Sequence, residues 1–230
     1  MSFHYEQRRL ENERVALVPF DPSIHSANFM KEKETNPEIR KYVVVPAAKS
    51  VEEFSAFYEE NINSSPGDCL YAIIDKKFTK GEKDPSANYA GTIALASTNP
   101  VNASTEMGIM VFSAFQRTHV SSNAIGLLLQ YTLDPHSVGG LGLRRVEWRC
   151  HAGNQASRHA ALRMGFELEG ILRWDRTFPG GTIGLPVDAL EKRNGSSGEE
   201  LGRHTAVFSI VWDEWDEKRP KVVKQMEREK

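Results

Sequence analysis

Between residues 114 and 122 the chain reads "AFQRTHVSS", which places the side-chain donors of Gln116, Arg117, Thr118, Ser121 and Ser122 at the front of an apolar helical run. A helix N-terminus offers backbone N–H groups with no intrahelical partner and roughly half a positive charge from aligned peptide dipoles. A diphosphate can therefore be held there with few basic side chains. The same residues taken alone also describe an ordinary N-cap with solvated polar side chains. A second polar pair, Asn154 and Ser157, reads as the N-cap and third position of a later helix. In "TEMGIMVF" the alternation sets Glu106 on the face opposite Met107, Ile109 and Val111, and Gly108 suggests a bulge or a close backbone approach. His4, His25, His136, His151, His159 and His204 show no ligand spacing, so no metal is expected.

The elements that position these residues follow from periodicity. "RVALVPF" is a strand ending at Asp21-Pro22, followed by a helix over "SIHSANFMKEKE". Ser50 and Glu53 form a capping box for a second helix that reaches about Asn61. Strands then start at Cys69, Tyr89 and Thr105, joined by connections short enough to favour antiparallel pairing. Val120, Ala124, Leu127, Leu128 and Tyr131 recur at helical spacing, and Ile125, Leu129 and Leu133 widen the stripe, so this helix should be largely buried. "RRVEWRCHA" is a strand, Asn154 to Met164 a helix capped by Gly165, and "FELEGILRW" and "HTAVFSIVW" further strands. The Gly- and Pro-rich stretch from Asp175 to Arg203 is an excursion from the core, and the mixed-charge segment 216–230 reads as a solvated helix or frayed end.

Composition narrows the function. A chain of 230 residues can hide roughly 70% of its unfolded surface, and 40% hydrophobic with 26% charged residues is ordinary for a soluble protein. No apolar run approaches the ~20 residues a membrane span needs, and the N-terminus has no apolar block of a secretory signal, so a cytoplasmic location is expected. A net charge of −2 gives no global attraction to nucleic acid or acidic lipid, so an anion must be met locally and a small ligand is expected. Cys69 and Cys150 lie far apart in strand-like runs and read as buried reduced thiols.

The order β-α-α-β-β-β-α-β-α-β-β, with a phosphate-type turn after the fourth strand, resembles the GNAT superfamily of acyl-CoA-dependent N-acetyltransferases. "FQRTHVSSNAIGLLLQYTLD", "RRVEWRCHAGNQASRHAALRMGFELEGILR" and "RHTAVFSIVWDEW" are similar to successive blocks of its RimJ/RimL-type branch. The resemblance implies one α/β (α+β) domain over residues 1–230, its core spanning about 14–215, with a mixed, mostly antiparallel sheet of about seven strands whose fourth and fifth strands splay apart. It also implies acetyl-CoA as cosubstrate and an amine as acceptor, with no metal. Oligomeric state stays open, a homodimer among the options.

Residue roles follow from the same resemblance. The diphosphate is expected at Gln116, Arg117, Thr118, His119, Val120, Ser121 and Ser122, and the pantetheine arm along the main chain of Ile109, Met110 and Val111. Asn154 would bond that arm, Ser157 would face the thioester, and Glu106 would serve as general base, directly or through water. The turn departs from the family pattern Q/R-x-x-G-x-G/A at His119 and Ser121. His119 fits if its φ is negative, or if the imidazole-bearing residue adopts the left-handed conformation. The family's tyrosine acid is replaced by Ala161, so the leaving thiolate's proton is expected from Ser157, water or another strand.

Overall fold

The computed structural model describes residues 3–43, 48–77, 88–178, 183–185 and 201–228. Runs of alternating β-branched and aromatic residues form one eight-stranded sheet. Its strands are β1 (Leu10–Glu11), β2 (Val15–Pro19), β3 (Cys69–Asp75), β4 (Tyr89–Asn99), β5 (Ser104–Val111), β6 (Arg145–His151), β7 (Glu167–Phe178) and β8 (Leu201–Val211). They lie in the order β1-β2-β3-β4-β5-β6-β8-β7, antiparallel throughout except for the β5/β6 pair. The strand beyond the expected seven is β1, whose two residues are too few to show a period.

The expected fourth and fifth strands are β5 and β6. They share only the rungs Ser104↔Arg145, Thr105↔Val146 and Glu106↔Glu147, then run on to Val111 and His151 without pairing. β5 meanwhile stays paired with β4 as far as Gly91↔Val111. The sheet is therefore forked after Glu106, and among the described residues no strand pairs with the main chain of Met107 to Val111 on the β6 side. The expected bulge at Gly108 is absent: Ala94↔Gly108 is a regular rung, and the register shift in this pair lies between Ala96 and Asn99. A Cβ built on Gly108 would meet nothing within 4 Å, because the residue faces open space.

The helices are α1 (Pro22–Thr35), α2 (Val51–Tyr58), α3 (Val120–Leu133), α4 (Gln155–Arg163) and α5 (Trp212–Glu227). Asp21 caps α1 by accepting from Ser23 N, with Pro22 at the first position. Ser50 caps α2 by accepting from Glu53 N at 3.2 Å, but Glu53 returns to Lys49 N at 2.8 Å and not to Ser50 N as a strict capping box would. α3 is buried along nearly its whole length, as its wide apolar stripe predicts. Gly165, at φ 91, ends α4 in the left-handed conformation expected of a C-cap glycine.

Two segments depart from expectation. The C-terminal stretch is no frayed tail: α5 packs on α3 and buries Trp215, Val222 and Met226. Met226 covers Gly126 so closely that a Cβ there would lie 2.2 Å from its Sδ. Trp215 Nε1 donates to Asp134 Oδ1 at 2.7 Å, while Arg219 grips the same buried carboxylate through Nε at 2.8 Å and Nη2 at 2.9 Å. The apolar stripe of α5 is sparse and set among charges, which hid it in the sequence. The expected excursion is strand at both ends, since Arg176↔Arg203, Thr177↔Gly202 and Phe178↔Leu201 are rungs of β7 and β8. Its residues 179–182 and 186–200 lie outside the described residues. One buried cluster joins Val15 on β2 to Met226 on α5, and both cysteines are buried and free.

Candidate active site

A cavity of about 1000 Å³ opens at the fork. The main chain of Met107 to Val111 forms one wall, and Trp148, Arg149 and Cys150 of β6 form the other. Gln116, Arg117 and Ser121, at the entrance of α3, close one end, while Asn154, Ser157 and Ala160 of α4 line it further along.

The α3 entrance is built without glycine. Gln116 Nε2 donates to Val111 O at 3.1 Å, which ties the turn to the end of β5. Arg117 takes the left-handed conformation at φ 61, so the backbone reversal expected near position 119 occurs two residues earlier. His119 has φ −66 and ψ −18, an ordinary helical conformation, and its Nε2 lies 3.0 Å from Asp75 Oδ1 on β3. Its ring therefore faces β3 and does not line the cavity. Thr118 Oγ1 donates to Phe115 O at 2.6 Å and accepts from Val120 N at 3.3 Å, so this hydroxyl organises the turn. The first i−4 bond at this entrance is Asn123 N to His119 O, and no side chain of His119 caps the helix. That leaves the amides of Ser121 and Ser122 without an intrahelical acceptor. Val120 and Ser122 are buried, and neither lines the cavity.

On the opposite wall Asn154 caps α4, its Oδ1 accepting from Ser157 N at 3.0 Å. Ser157 Oγ accepts from Trp148 Nε1 at 3.0 Å, which fixes the hydroxyl against β6 beside Cys150. Burial pushes the Cys150 thiol above its usual value, partly opposed by Ser157. Ala161 is fully buried and outside the cavity wall, whereas Ala160 lines it.

Glu106 occupies the last shared rung of the fork, opposite Glu147. It is half-buried and stands behind the cavity lining. Burial raises its pKa, and the guanidiniums of Arg149 and Arg176 only partly oppose that shift. A carboxyl in this state can hold or release a proton nearer neutrality than an exposed glutamate. Sequence reading missed Arg149, Arg176 and Arg203, all of which line the cavity. The alternation of "RRVEWRCHA" puts Arg149 on one face with Glu147 and was readable; the meeting of Arg176 with Arg203 depends on a register that no local pattern encodes. Among the described residues no His, Cys, Asp and Glu group could hold a metal ion, and no helix is long and apolar enough to cross a membrane.

The sheet is thus forked between two parallel strands, with a helix N-terminus that carries no side-chain cap at the mouth of the fork. The chain belongs to the GNAT acetyltransferases: the family model described as "Acetyltransferase (GNAT) domain" matches residues 14–167. It is 25% identical over 146 residues to the uncharacterised N-acetyltransferase YoaA of Bacillus subtilis, covering 60% of this chain and 72% of that protein. A GCN5-related N-acetyltransferase from Brucella melitensis superposes with a TM-score of 0.74 at 25% identity, over 97% of this chain and 87% of that one. RimJ of Mycobacterium smegmatis, solved in complex with CoA-disulfide, shares the fold with a TM-score of 0.69 at 14% identity, over 97% of each chain.

Proposed function

We propose that the protein transfers an acetyl group from acetyl-CoA to a primary amine, on a protein N-terminus or a small molecule, by direct attack within a ternary complex. The observation that carries this reading is the fork: β5 main chain, unpaired on its β6 side among the described residues, runs along a cavity that reaches the N-terminus of α3, which has no side-chain cap. A diphosphate at Gln116, Arg117 and Ser121 would leave the pantetheine arm beside Ile109, Met110 and Val111, within reach of Asn154. The amine nitrogen attacks the thioester carbonyl, the C–S bond breaks, and the amine's proton passes to Glu106 through water. Ser157, held by Trp148, or a water beside it supplies the proton that the leaving thiolate takes up.

The replacement of the family's tyrosine by Ala161 favours one alternative, a coenzyme-binding protein that no longer turns over. A thiol-release assay with acetyl-CoA and a panel of peptides, polyamines, amino acids and aminoglycosides separates the two. Turnover with any amine supports the enzyme. Coenzyme binding without thiol release across the panel supports the alternative.

A further inference from the structure

Across the fork from the α3 entrance, the cavity has a second charged wall. Arg176 on β7 stands directly opposite Arg203 on β8. Arg149 on β6 stands opposite Val207, which alternation places on the same face of β8 as Arg203. Three guanidiniums thus share one face and line the cavity. Like charges directly opposite one another across an antiparallel pair oppose folding. Burial makes the opposition stronger here, since Arg203 is only 8% exposed. Its Nε has no hydrogen-bond partner among the described residues, and its guanidinium lies 6.0 Å from the Phe178 ring. Burial, and after it the Arg176 charge, press its pKa down, and Asp175 and Glu106 only partly oppose this from a distance; an arginine stays protonated all the same, and among the described residues no carboxylate lies in an ion pair with it to supply counter-charge.

The nearby acids do not supply that counter-charge from within the cavity. Asp175 Oδ2 accepts from Arg176 Nε at 3.0 Å and from Thr205 Oγ1 at 2.7 Å. Glu147 is divided between Arg145 Nε at 2.9 Å and Arg149 Nε at 3.2 Å. Neither acid lines the cavity, nor does Glu106. The carboxylate among the described lining residues is Glu38, which lies 3.4 Å from Lys41 Nζ. β7 carries a register shift between Leu172 and Arg176, and its pairing with β8 resumes at the Arg176↔Arg203 rung.

We propose that the acyl acceptor is an anionic amine, with a carboxylate or phosphate a few bonds from the reacting nitrogen, gripped by Arg203 and Arg176 with Arg149 beside them. The assignment rests on the acetyltransferase reading above. Planar guanidiniums match either anion in a two-point grip. The anion would relieve the Arg176/Arg203 opposition and hold the amine on the face that carries Glu106.

The test is a calorimetric titration of the full chain, first with coenzyme A and then with two matched pairs of amines: β-alanine against β-alaninamide, and O-phosphoethanolamine against ethanolamine. Thiol-release kinetics on the same amines run alongside. The expected result is a preference of about ten-fold or more for an anionic member over its neutral partner, reduced about ten-fold in Arg203→Gln and Arg176→Gln. The better pair identifies carboxylate or phosphate. Arg176 is exposed, so its variant keeps the test valid if Arg203→Gln fails to fold. Equal handling of charged and neutral partners, or an unchanged ratio in Arg176→Gln, overturns the assignment while leaving the acetyltransferase reading intact. Absence of heat with coenzyme A removes that reading and this assignment together.

Discussion

The imidazole of His119 bonds to Asp75 and leaves the cavity clear, so the residue that looked most obstructive at the turn serves instead to join α3 to β3. Its φ was the open question in the sequence, because a single residue type allows two backbone conformations and only the surrounding turn selects one. The turn selected Arg117 for the left-handed position. Glu106 supplies a sharper test. A general base must be ionised, and burial raises its pKa above 4.5. Turnover should therefore fall as pH drops through that raised value. Glu106→Gln should remove this limb and lower kcat/KM by about 10²–10⁴-fold on the plateau; a pH–rate profile like that of the parent would end the assignment. Stability runs the other way. A carboxyl whose folded pKa is raised contributes most below its unfolded pKa, and that contribution is lost as pH rises through the folded value. Glu106→Gln should accordingly raise the Tm at pH 8 while depressing turnover.

At the scale of elements, the start of α3 is both a structural joint and the proposed anion site, and one substitution separates the two. Ser121→Glu sets a carboxylate in the first turn, where it adds about 0.3–1 kcal/mol to the ligand-free protein through the helix dipole. The same charge faces the cavity and should abolish coenzyme A binding, so Tm rises and calorimetric heat vanishes together. A variant that still binds the coenzyme would place the diphosphate elsewhere. α5 makes a different claim: Trp215→Ala should cost about 3–5 kcal/mol in urea unfolding, far more than a solvated tail allows. Legibility in the sequence followed the physics of each element. α3 and α4 were readable because strong periods, Asn154 and Gly165 all agree locally. α5 was misread because its buried positions, Trp215, Val222 and Met226, are widely spaced among charges. The arginine wall was unreadable because Arg176 and Arg203 meet only through the pairing of β7 with β8.

For the whole molecule, the fork sits between two well-paired halves of the sheet, β1 to β5 on one side and β6, β8 and β7 on the other. A ligand that bridges them should stabilise the entire chain. Acetyl-CoA at ~100 times its dissociation constant should add about 2.7 kcal/mol to unfolding, seen as a higher Tm; no shift at millimolar coenzyme would count against the proposed function. The fork also bears on the fluctuations of the free protein. Among the described residues no strand pairs with the open flank of β5, so its amide hydrogens should trade for deuterium quickly even in a folded molecule whose neighbouring strands are locked. An arm of coenzyme laid in the gap would take the place of a strand that the described residues do not supply, and the slowing of that trade would measure how much of the sheet is borrowed from the cosubstrate.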